Sequence, residues 1–266
     1  MATPRPRKIK RYGYIPDLPD SRDLLYGLVR KPSIVPLPPR VDLRPFCPPV
    51  QDQGDLGSCT AHALAGAFAF LRLKELREAG KALTNIDVSR LFIYYSERAI
   101  ENTIESDAGA MLRDGIKSMA KQGVCSEDLW PYKVSKFASK PGAKAYRQAV
   151  RHKITAYARL HTLLPDMKQC LADGFPFVFG FTVYESFESA EVAKTGVMQM
   201  PGKDEREIGG HAVLAVGYED MTQRLIVKNS WGTDWAEAGF FTMPYAYVES
   251  GTTADDFWTI RREESF

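Results

Sequence analysis

The hydrophobic pattern differs between the two halves of the chain, and this difference constrains the fold most strongly. In the first half, apolar residues recur at helical spacing from Ser58 to Gly80 and again in segments that begin at Asp87 and Asp107. A short helical segment closes at Gly174, and β-branched and aromatic runs separated by turn residues follow it. These runs are FPFVFGFTV, HAVLAVGYED, QRLIVKN, GFFTM and DFWTI. The pattern predicts an α+β protein with a helical lobe, a lobe of antiparallel strands and a ligand-binding cleft between them.

Residues 1–40 differ in composition from the rest of the chain. They are rich in Pro, Arg and Lys, and the stretch KPSIVPLPPR at 31–40 is typical of an extended linker. We therefore predict an N-terminal extension at 1–40 followed by one folded domain at 41–266. Within this domain, the change of pattern places the helical lobe at about 41–160 and the sheet lobe at about 161–266.

The overall composition argues against several classes of function. The chain has 35 Lys and Arg against 33 Asp and Glu, so no overall field favours nucleic acid or an acidic membrane. The basic stretch RPRKIKR at residues 5–11 is typical of a solvated arm. No apolar run reaches the ~20 residues of a membrane-spanning helix, and no Sec-type export signal is visible. We expect a cytoplasmic monomer without a nucleic-acid or membrane partner.

The four cysteines are Cys47, Cys59, Cys125 and Cys170. They are too sparse for a disulfide scaffold, and their spacing lacks the close pairs of a zinc site. A reducing compartment is the simpler expectation, with no metal and no cofactor.

One cysteine occupies a position that suits a nucleophile. The stretch QDQGDLGSCTAHA at residues 51–63 places Cys59 where a glycine-containing loop becomes a helix, with Ser58 as a possible cap. A helix start offers unpaired backbone N–H groups and the positive end of the peptide dipole, which both favour a thiolate. An ordinary capped helix has the same pattern, so other residues must decide.

A nucleophilic cysteine needs a base, and the chain has four histidines. His152 and His161 flank KITAYARL, which has no distinctive chemistry, so surface or packing roles are expected for both. His62 shares a helix with Cys59, and its ring would point along the helix surface rather than across a cleft. His211 follows two glycines at the head of a buried strand, GGHAVLAVGYED, on the opposite lobe from Cys59. It is the best candidate for the base.

Two residues further along the chain can support such a base. Asn229 ends a strand in VKNSWGTDWAEAGFF, and Trp231 follows it. An Asn side-chain carbonyl can hold one imidazole nitrogen so that the other faces the sulfur, and a Trp ring can shield that bond from water.

Three segments resemble motifs of the papain family of cysteine peptidases. They are PVQDQGDLGSC (49–59), GGHAVLAVGY (209–218) and VKNSWGTDWAEAGFF (227–241), in the family's order across most of residues 41–266. The resemblance implies a papain-like two-lobe fold, in which a helical lobe and an antiparallel β-barrel-like lobe enclose the active site. It also implies site residues: Cys59 as nucleophile, His211 as base, Asn229 as the residue that orients it, and Gln53 in the oxyanion hole.

The same resemblance implies a substrate-binding pocket. The corresponding positions are Gly109, Met111, Gly180 and Ala212, with Trp231 beside the triad. Small residues there leave room, so we expect a bulky apolar or aromatic side chain at P2, the second residue before the cleaved bond. The loop from Tyr184 to Glu207 is long enough to cover part of the pocket wall.

The chain also departs from the family pattern. Thr60 follows the nucleophile where the family usually has an aromatic residue, and Leu56 replaces a cysteine in the preceding loop. SDAGAM at 106–111 replaces the GCxGG wall segment, with Gly109 as the expected backbone contact. The disulfides of secreted members are missing, which fits a reduced relative, and the stretch KIKRYGYIPDLPDSRD resembles xylellain-like bacterial members.

The implied reaction is hydrolysis of a peptide or protein substrate through a thioester. Two alternatives remain open: an amide transferase or toxin-like enzyme that uses the same triad, and a non-catalytic binding protein on the same fold. Members that lose catalysis generally lose the Cys or the His, and both are present here.

The extension at residues 1–40 is too short for the helical inhibitory pro-domain that is common in the family. Its stretch RYGYIPDLPDSRDLLYG carries tyrosines among prolines, which pre-order an extended chain that can lie along a cleft at low entropic cost. A flexible tail is the alternative. We predict a short inhibitory segment that makes the protein a zymogen, tethered by PLPPR and released by proteolysis there. Its predicted residues are Tyr12, Gly13, Tyr14, Ile15 and Pro16.

Overall fold

A computed structural model describes residues 12–29, 36–82 and 87–265. Their α-helices are α1 (Tyr26–Val29), α2 (Cys59–Glu78), α3 (Arg90–Glu101), α4 (Leu112–Lys121), α5 (Ala143–Ala149), α6 (Leu164–Ala172), α7 (Ala190–Thr195) and α8 (Tyr245–Glu249). Their strands are β1 (Arg40–Asp42), β2 (His152–Arg159), β3 (Phe177–Tyr184), β4 (Glu207–Glu219), β5 (Arg224–Lys228), β6 (Phe240–Pro244) and β7 (Ala254–Ser265). The predicted α+β class is confirmed. The basic stretch at 5–11 and the first half of the predicted linker lie outside the described residues.

Helix α2 is the central helix of the protein. Its first thirteen residues, Cys59 to Leu71, are all buried, because the helix packs against β4 and β7 on one side and against α3 and α4 on another. A helix that is apolar on every side is typical of such a central position. Gly80 follows the helix with a φ of +62°, a left-handed conformation that glycine adopts without a steric penalty. The predicted helix from Ser58 to Gly80 is confirmed.

Helix α3 begins three residues later than the acidic start predicted at Asp87. The structure places Ser89 at the N-cap, where its hydroxyl accepts the backbone N–H of Phe92 at 3.0 Å. Serine satisfies an unpaired N–H of the first turn, which Asp87 is too far away to do.

Helix α4 begins at Leu112 rather than at the predicted Asp107. The carboxylate of Asp107 does not cap a helix, since it accepts the backbone N–H of Gly57 at 3.1 Å and the hydroxyl of Tyr94 at 2.5 Å. These bonds hold residues 107–111 as a loop beside the start of α2.

The strands form a single antiparallel sheet in the order β2, β7, β3, β4, β5, β6, with β1 also paired to β4. Its described strands do not close into a barrel. Strand β2 precedes the lobe boundary predicted near residue 160 and nevertheless pairs with β7, so the sheet includes chain from both halves. In the β3–β4 register, Phe181 lies opposite His211 and Gly180 opposite Ala212.

The main hydrophobic core lies between α2 and the sheet. Its largest members are aromatic, and the rings of Phe179 and Phe257 stack at 5.5 Å. This core fixes the start of α2 against the middle of β4, which brings residues from the two halves of the chain together. None of the helices in the described ranges is long and apolar enough to cross a bilayer.

Candidate active site

Cys59 is the first residue of α2 and is completely buried. Its sulfur lies close to the backbone N–H groups of Gly13, Thr60 and Ala212, which favour the thiolate. Burial has a larger opposing effect and raises the pKa of the thiol to about 12. The N–H group of Thr60 at the helix start thus acts in the expected direction, but desolvation of this covered site outweighs it.

Ser58 occupies the N-cap position of α2, yet its side chain does not cap the helix. The hydroxyl instead bonds the phenol oxygen of Tyr132 at 2.6 Å. The start of α2 is thus attached by Ser58 to the loop that follows α4.

His211 is buried in β4, directly after Gly209 and Gly210. Its Nε2 lies 2.8 Å from Oδ1 of Asn229, which also accepts the backbone N–H of Ser230 at 2.8 Å. Because Oδ1 is an acceptor, Nε2 of His211 must carry the hydrogen in the neutral ring. This tautomer leaves Nδ1 with the lone pair that a general base needs.

Trp231 covers this histidine. The two rings lie 5.1 Å apart with an angle of 33° between their planes, and the Trp side chain is buried. The ring of Phe187 packs against two tryptophans, at 5.2 Å from Trp231 and 5.7 Å from Trp235, and the three rings form an aromatic wall. The wall keeps water away from the contact between His211 and Asn229.

Gln53 lies in the loop before α2 and is buried. Its Oε1 accepts the hydroxyl of Ser230 at 2.6 Å, and its Nε2 donates to the carbonyl of Leu56 at 3.0 Å. The amide group has two N–H bonds, so one remains for a ligand. Its backbone N–H also donates to Ser230 O at 2.9 Å, which joins this loop to the segment that carries Asn229.

The other three histidines have structural contacts. His62 makes a 2.9 Å hydrogen bond from Nδ1 to the carbonyl of Ser58, and its ring packs edge-on against Tyr132. Burial, together with the nearby charge of Arg90, lowers the pKa of His62 to about 3. His161 contacts Asp166 at 2.9 Å, and His152 belongs to β2.

The segment from Tyr12 to Pro16 runs as extended chain between β4 and the loop before α4. The N–H of Tyr14 donates to Gly210 O at 3.0 Å, and the N–H of Ile15 donates to Ala110 O at 3.0 Å. In return, the N–H of Ala110 donates to Gly13 O at 2.8 Å. Pro16 is exposed, so the covered part of the segment ends near Ile15.

The first two residues of this segment lie directly on the candidate catalytic residues. The ring of Tyr12 contacts that of His211 edge-on at 5.9 Å, and its hydroxyl donates to Glu188 at 2.7 Å. Gly13 passes so close to the carbonyl of Gly57 that a Cβ there would overlap it. This close approach brings the N–H of Gly13 to the sulfur of Cys59.

Tyr14 fills a pocket that we call the Tyr14 pocket, which is formed by Gly180, Gly210 and Asp256. A Cβ at Gly180 would overlap the phenol ring, and one at Gly210 would lie 2.9 Å from it. The hydroxyl of Tyr14 donates to Oδ2 of Asp256 at 2.6 Å. Burial and the charge of Asp256 raise the pKa of this phenol well above its usual range, so the phenol is neutral.

Further contacts anchor the chain that follows Pro16. The carboxylate of Asp17 accepts the backbone N–H of Arg113 at 3.0 Å and the indole N–H of Trp258 at 3.1 Å. Asp23 pairs with the guanidinium of Arg113 at 2.5 Å, with both side chains nearly buried. Tyr26 is buried and donates its hydroxyl to Asp173 at 2.7 Å.

The predicted pocket residues differ in their placement. Gly180 contacts the ring of Tyr14, Gly109 lies against the backbone of Gly13, and Ala212 lies beside the sulfur of Cys59. Met111 is the residue before α4, and its N–H donates to Glu101 at 2.8 Å.

Sequence reasoning missed three residues of the groove. Ala110 makes the backbone bonds that were expected of Gly109, and Asp256 closes the end of the Tyr14 pocket. Glu188 binds the hydroxyl of Tyr12 from the loop that was expected to cover a pocket wall. The hydrophobic pattern gives no signal for Asp256, since DFWTI indicates only a strand.

All four cysteines are free. Within the described ranges, no three His, Cys, Asp or Glu side chains are grouped so that they could hold a metal ion.

Comparisons with known proteins identify the family and the fold. A model of papain family cysteine proteases matches residues 37–257. An uncharacterized peptidase C1-like protein of Acanthamoeba polyphaga mimivirus is 43% identical over 275 residues, covering 95% of this chain and 87% of that protein. The structure of xylellain, a cysteine protease from Xylella fastidiosa, matches with a TM-score of 0.86 at 43% identity, covering 96% of this chain and 97% of that one. The procathepsin B of Trypanosoma congolense shares the fold at 20% identity and a TM-score of 0.74, covering 96% and 87% of the two chains. The predicted two-lobe fold and the likeness to xylellain are confirmed.

Proposed function

The chain belongs to the papain family of cysteine proteases and is a cysteine endopeptidase, and we propose that Cys59, His211 and Asn229 form its catalytic triad. One observation carries this assignment. The sulfur of Cys59 lies beside the N–H of Ala212, next in the chain to His211, whose ring is held by Asn229 at 2.8 Å. The nucleophile and the oriented base thus approach each other from α2 and β4.

The reaction begins with a proton transfer. Nδ1 of His211 takes the thiol proton of Cys59, and the thiolate attacks the carbonyl carbon of the peptide bond. The new S–C bond forms a tetrahedral intermediate, and the C–N bond breaks as His211 gives its proton to the leaving amine. Water then attacks the thioester with His211 as base, which releases the acid and restores the thiol.

The oxyanion of the intermediate needs donors. The free N–H of the Gln53 side chain and the backbone N–H of Cys59 are suited to this role, since both lie at the start of α2. A buried, preoriented donor stabilises the developing charge more than water does.

We also propose that the segment from Tyr12 to Ile15 restrains this activity. It places the N–H of Gly13 at the sulfur of Cys59 and the ring of Tyr12 against His211, so it occupies the space that a substrate would need. Its cover adds to the burial that raises the pKa of Cys59 and lowers the fraction of thiolate at neutral pH, while its Gly13 N–H has a smaller, opposite effect. Release of the segment, for example by cleavage in the tether at 36–40, would restore both access and reactivity.

Covalent labelling tests the triad. The full chain is treated with an epoxide inactivator of papain-type proteases, and the adduct is located by mass spectrometry of peptides. We expect one adduct, on Cys59, together with peptide cleavage that both Cys59→Ala and His211→Ala abolish. Cys47→Ala is the matched control and should keep both signals, because Cys47 lies outside the site.

Labelling of His211→Ala at the parent's rate would contradict the assignment of the base. If products appear only after an amine acceptor is added, the enzyme is an amide transferase. If neither labelling nor cleavage occurs even after proteolysis of the tether, a binding protein is the correct interpretation.

A further inference from the structure

The Tyr14 pocket has the shape of a slot for one aromatic ring. The backbones of Gly180 and Gly210 form its walls, and neither position leaves space for a side chain while the ring is present. Asp256 closes the end of the slot and is completely buried. The slot therefore fixes both the thickness of its occupant and the position of the occupant's last atom.

Asp256 depends on this occupant for its hydrogen bonds. Oδ2 accepts the hydroxyl of Tyr14 at 2.6 Å and the backbone N–H of Asp17 at 2.7 Å, while Oδ1 accepts from Arg159 at 2.6 Å. Departure of the N-terminal segment would remove both donors from Oδ2 and leave the bond from Arg159. A buried acceptor that loses its donors costs more than the lost bonds alone, unless a new donor replaces them.

A peptide substrate can supply that donor. The carbonyl groups of Ala110 and Gly210 and the N–H of Ala110 bind the segment as a strand, and they become available to another extended chain. Gly13 lies at Cys59, and its neighbour Tyr14 fills the slot, so a substrate on these groups places a side chain in the slot close to the cleaved bond.

We propose that Asp256 is a specificity-determining residue that makes the Tyr14 pocket select a phenolic side chain, so that the peptidase prefers tyrosine over phenylalanine there. This proposal rests on the proposed function and refines the broader expectation of an apolar or aromatic P2 residue. A site built to bind a hydroxyl rejects the analogue that lacks it, because the buried acceptor is then unpaired.

Paired peptide substrates test the proposal on the full chain. The peptides are identical except for tyrosine, phenylalanine or glutamate at P2, and kcat/KM is measured for each at neutral pH. We expect kcat/KM for the tyrosine peptide to exceed that for the phenylalanine peptide by about 10- to 100-fold, which corresponds to one hydrogen bond to a charged acceptor. Glutamate should be cleaved least, since its carboxylate would face that of Asp256.

Two variants of Asp256 sharpen the test. This residue has a φ of +57°, which Asn and Gly tolerate, so Asp256→Asn and Asp256→Gly remove the charge without adding backbone strain. Both should reduce the ratio of kcat/KM for tyrosine over phenylalanine towards one. Asp20→Asn is the matched control and should keep the ratio, because Asp20 pairs with the exposed Arg22 at 2.7 Å and lies outside the slot.

The hydrogen bond between Tyr14 and Asp256 can also be tested within the chain itself. Tyr14→Phe removes the hydroxyl but keeps the ring, so the segment should open more often and epoxide labelling of Cys59 should become about 10- to 100-fold faster. Equal cleavage of the tyrosine and phenylalanine peptides, or an unchanged ratio in both Asp256 variants, would overturn the proposal while leaving the peptidase assignment intact. Loss of all cleavage and labelling in the parent, even after proteolysis of the tether at 36–40, would instead contradict the proposed function.

Discussion

Gln53 is held at both ends of its side-chain amide, by Ser230 on the oxygen and by Leu56 on one N–H. These bonds fix the remaining N–H before any substrate arrives, so no ordering cost arises at the transition state. At the residue scale, this preorganisation distinguishes Gln53 from a polar loop residue that merely faces the solvent.

Replacing Gln53 with alanine should lower kcat by on the order of 10²-fold and change KM little, since in its proposed role the lost bond stabilises the oxyanion and not the bound ground state. Steady-state kinetics on one peptide substrate measures both constants. Gln51→Ala, two residues earlier in the same loop, is the matched control. If the variant instead keeps its kcat and has a higher KM, Gln53 binds the bound substrate and the transition state equally.

Candidate residues in local motifs are easier to recognise from the sequence than those defined by tertiary contact. Cys59, His211 and Asn229 were predicted because a helix start, a strand head and a strand end each leave a local pattern. Asp256 has no such pattern, since its role depends on Tyr14, which lies 242 residues away along the chain. Only the fold brings that pair together.

At the scale of elements, α4 is the main anchor of the N-terminal segment. The side chain of Arg113 binds Asp23 at 2.5 Å and the carbonyl of Leu18, and its backbone N–H binds Asp17. Arg113 is only 5% exposed, so these bonds are hardly weakened by solvent. One helix thus holds the chain that directly follows the covered segment.

The variant Arg113→Lys should loosen the segment, because a lysine cannot reproduce the forked contacts of a guanidinium. We expect epoxide labelling of Cys59 in the full chain to become at least about tenfold faster, as a buried pair contributes well over 1.4 kcal/mol when one partner is removed. Lys117→Arg on the same helix is the control, since Lys117 is half-exposed and lies 3.9 Å from Asp20. Equal labelling rates in Arg113→Lys and the parent would exclude α4 as the anchor.

The elements that the sequence predicted are those stabilised by their own pattern. Helix α2 was predicted because it is apolar throughout, and β3 to β6 because β-branched and aromatic runs separated by turns are typical of strands. The predicted starts of α3 and α4 were wrong because an acidic residue near a helix start can bind elsewhere, as Asp107 binds Gly57 and Tyr94. Strand β2 was missed because it is stabilised by pairing with β7, about a hundred residues later in the chain.

At the scale of the whole molecule, the end of the groove brings together more carboxylates than cations. Asp17 and Asp256 share one environment, and the surrounding charged or titratable groups are Asp23, Asp255, Glu101, Arg113, Arg159 and the neutral phenol of Tyr14. Burial, and then the charge of Asp256, raise the pKa of Asp17 from 3.8 to about 7. Burial also raises the pKa of Asp256. Between about pH 4 and pH 7, Asp17 therefore keeps its proton while the segment is docked and loses it to water when the segment is released.

This proton links segment docking to pH. A carboxyl group whose pKa is higher when docked favours docking fully below its free pKa, and this contribution is lost as the pH rises towards the docked value. Between about pH 4 and pH 7, the docking constant should therefore fall by up to tenfold for each pH unit. We expect the site to open as the pH rises, and not on acidification.

Hydrogen exchange in the full-length Cys59→Ala variant measures docking without self-cleavage. Protection of the amides of Tyr14 and Ile15, corrected for intrinsic exchange, should decrease from pH 5 to pH 8. Asp17→Asn cannot take part in this proton binding, so its protection should depend less steeply on pH, whatever its absolute level. Asp20→Asn should keep the parent's slope, because Asp20 pairs with the exposed Arg22 and lies outside the cluster. If the slopes of Asp17→Asn and the parent agree, the proton is bound elsewhere and the Asp17–Asp256 contact does not link docking to pH.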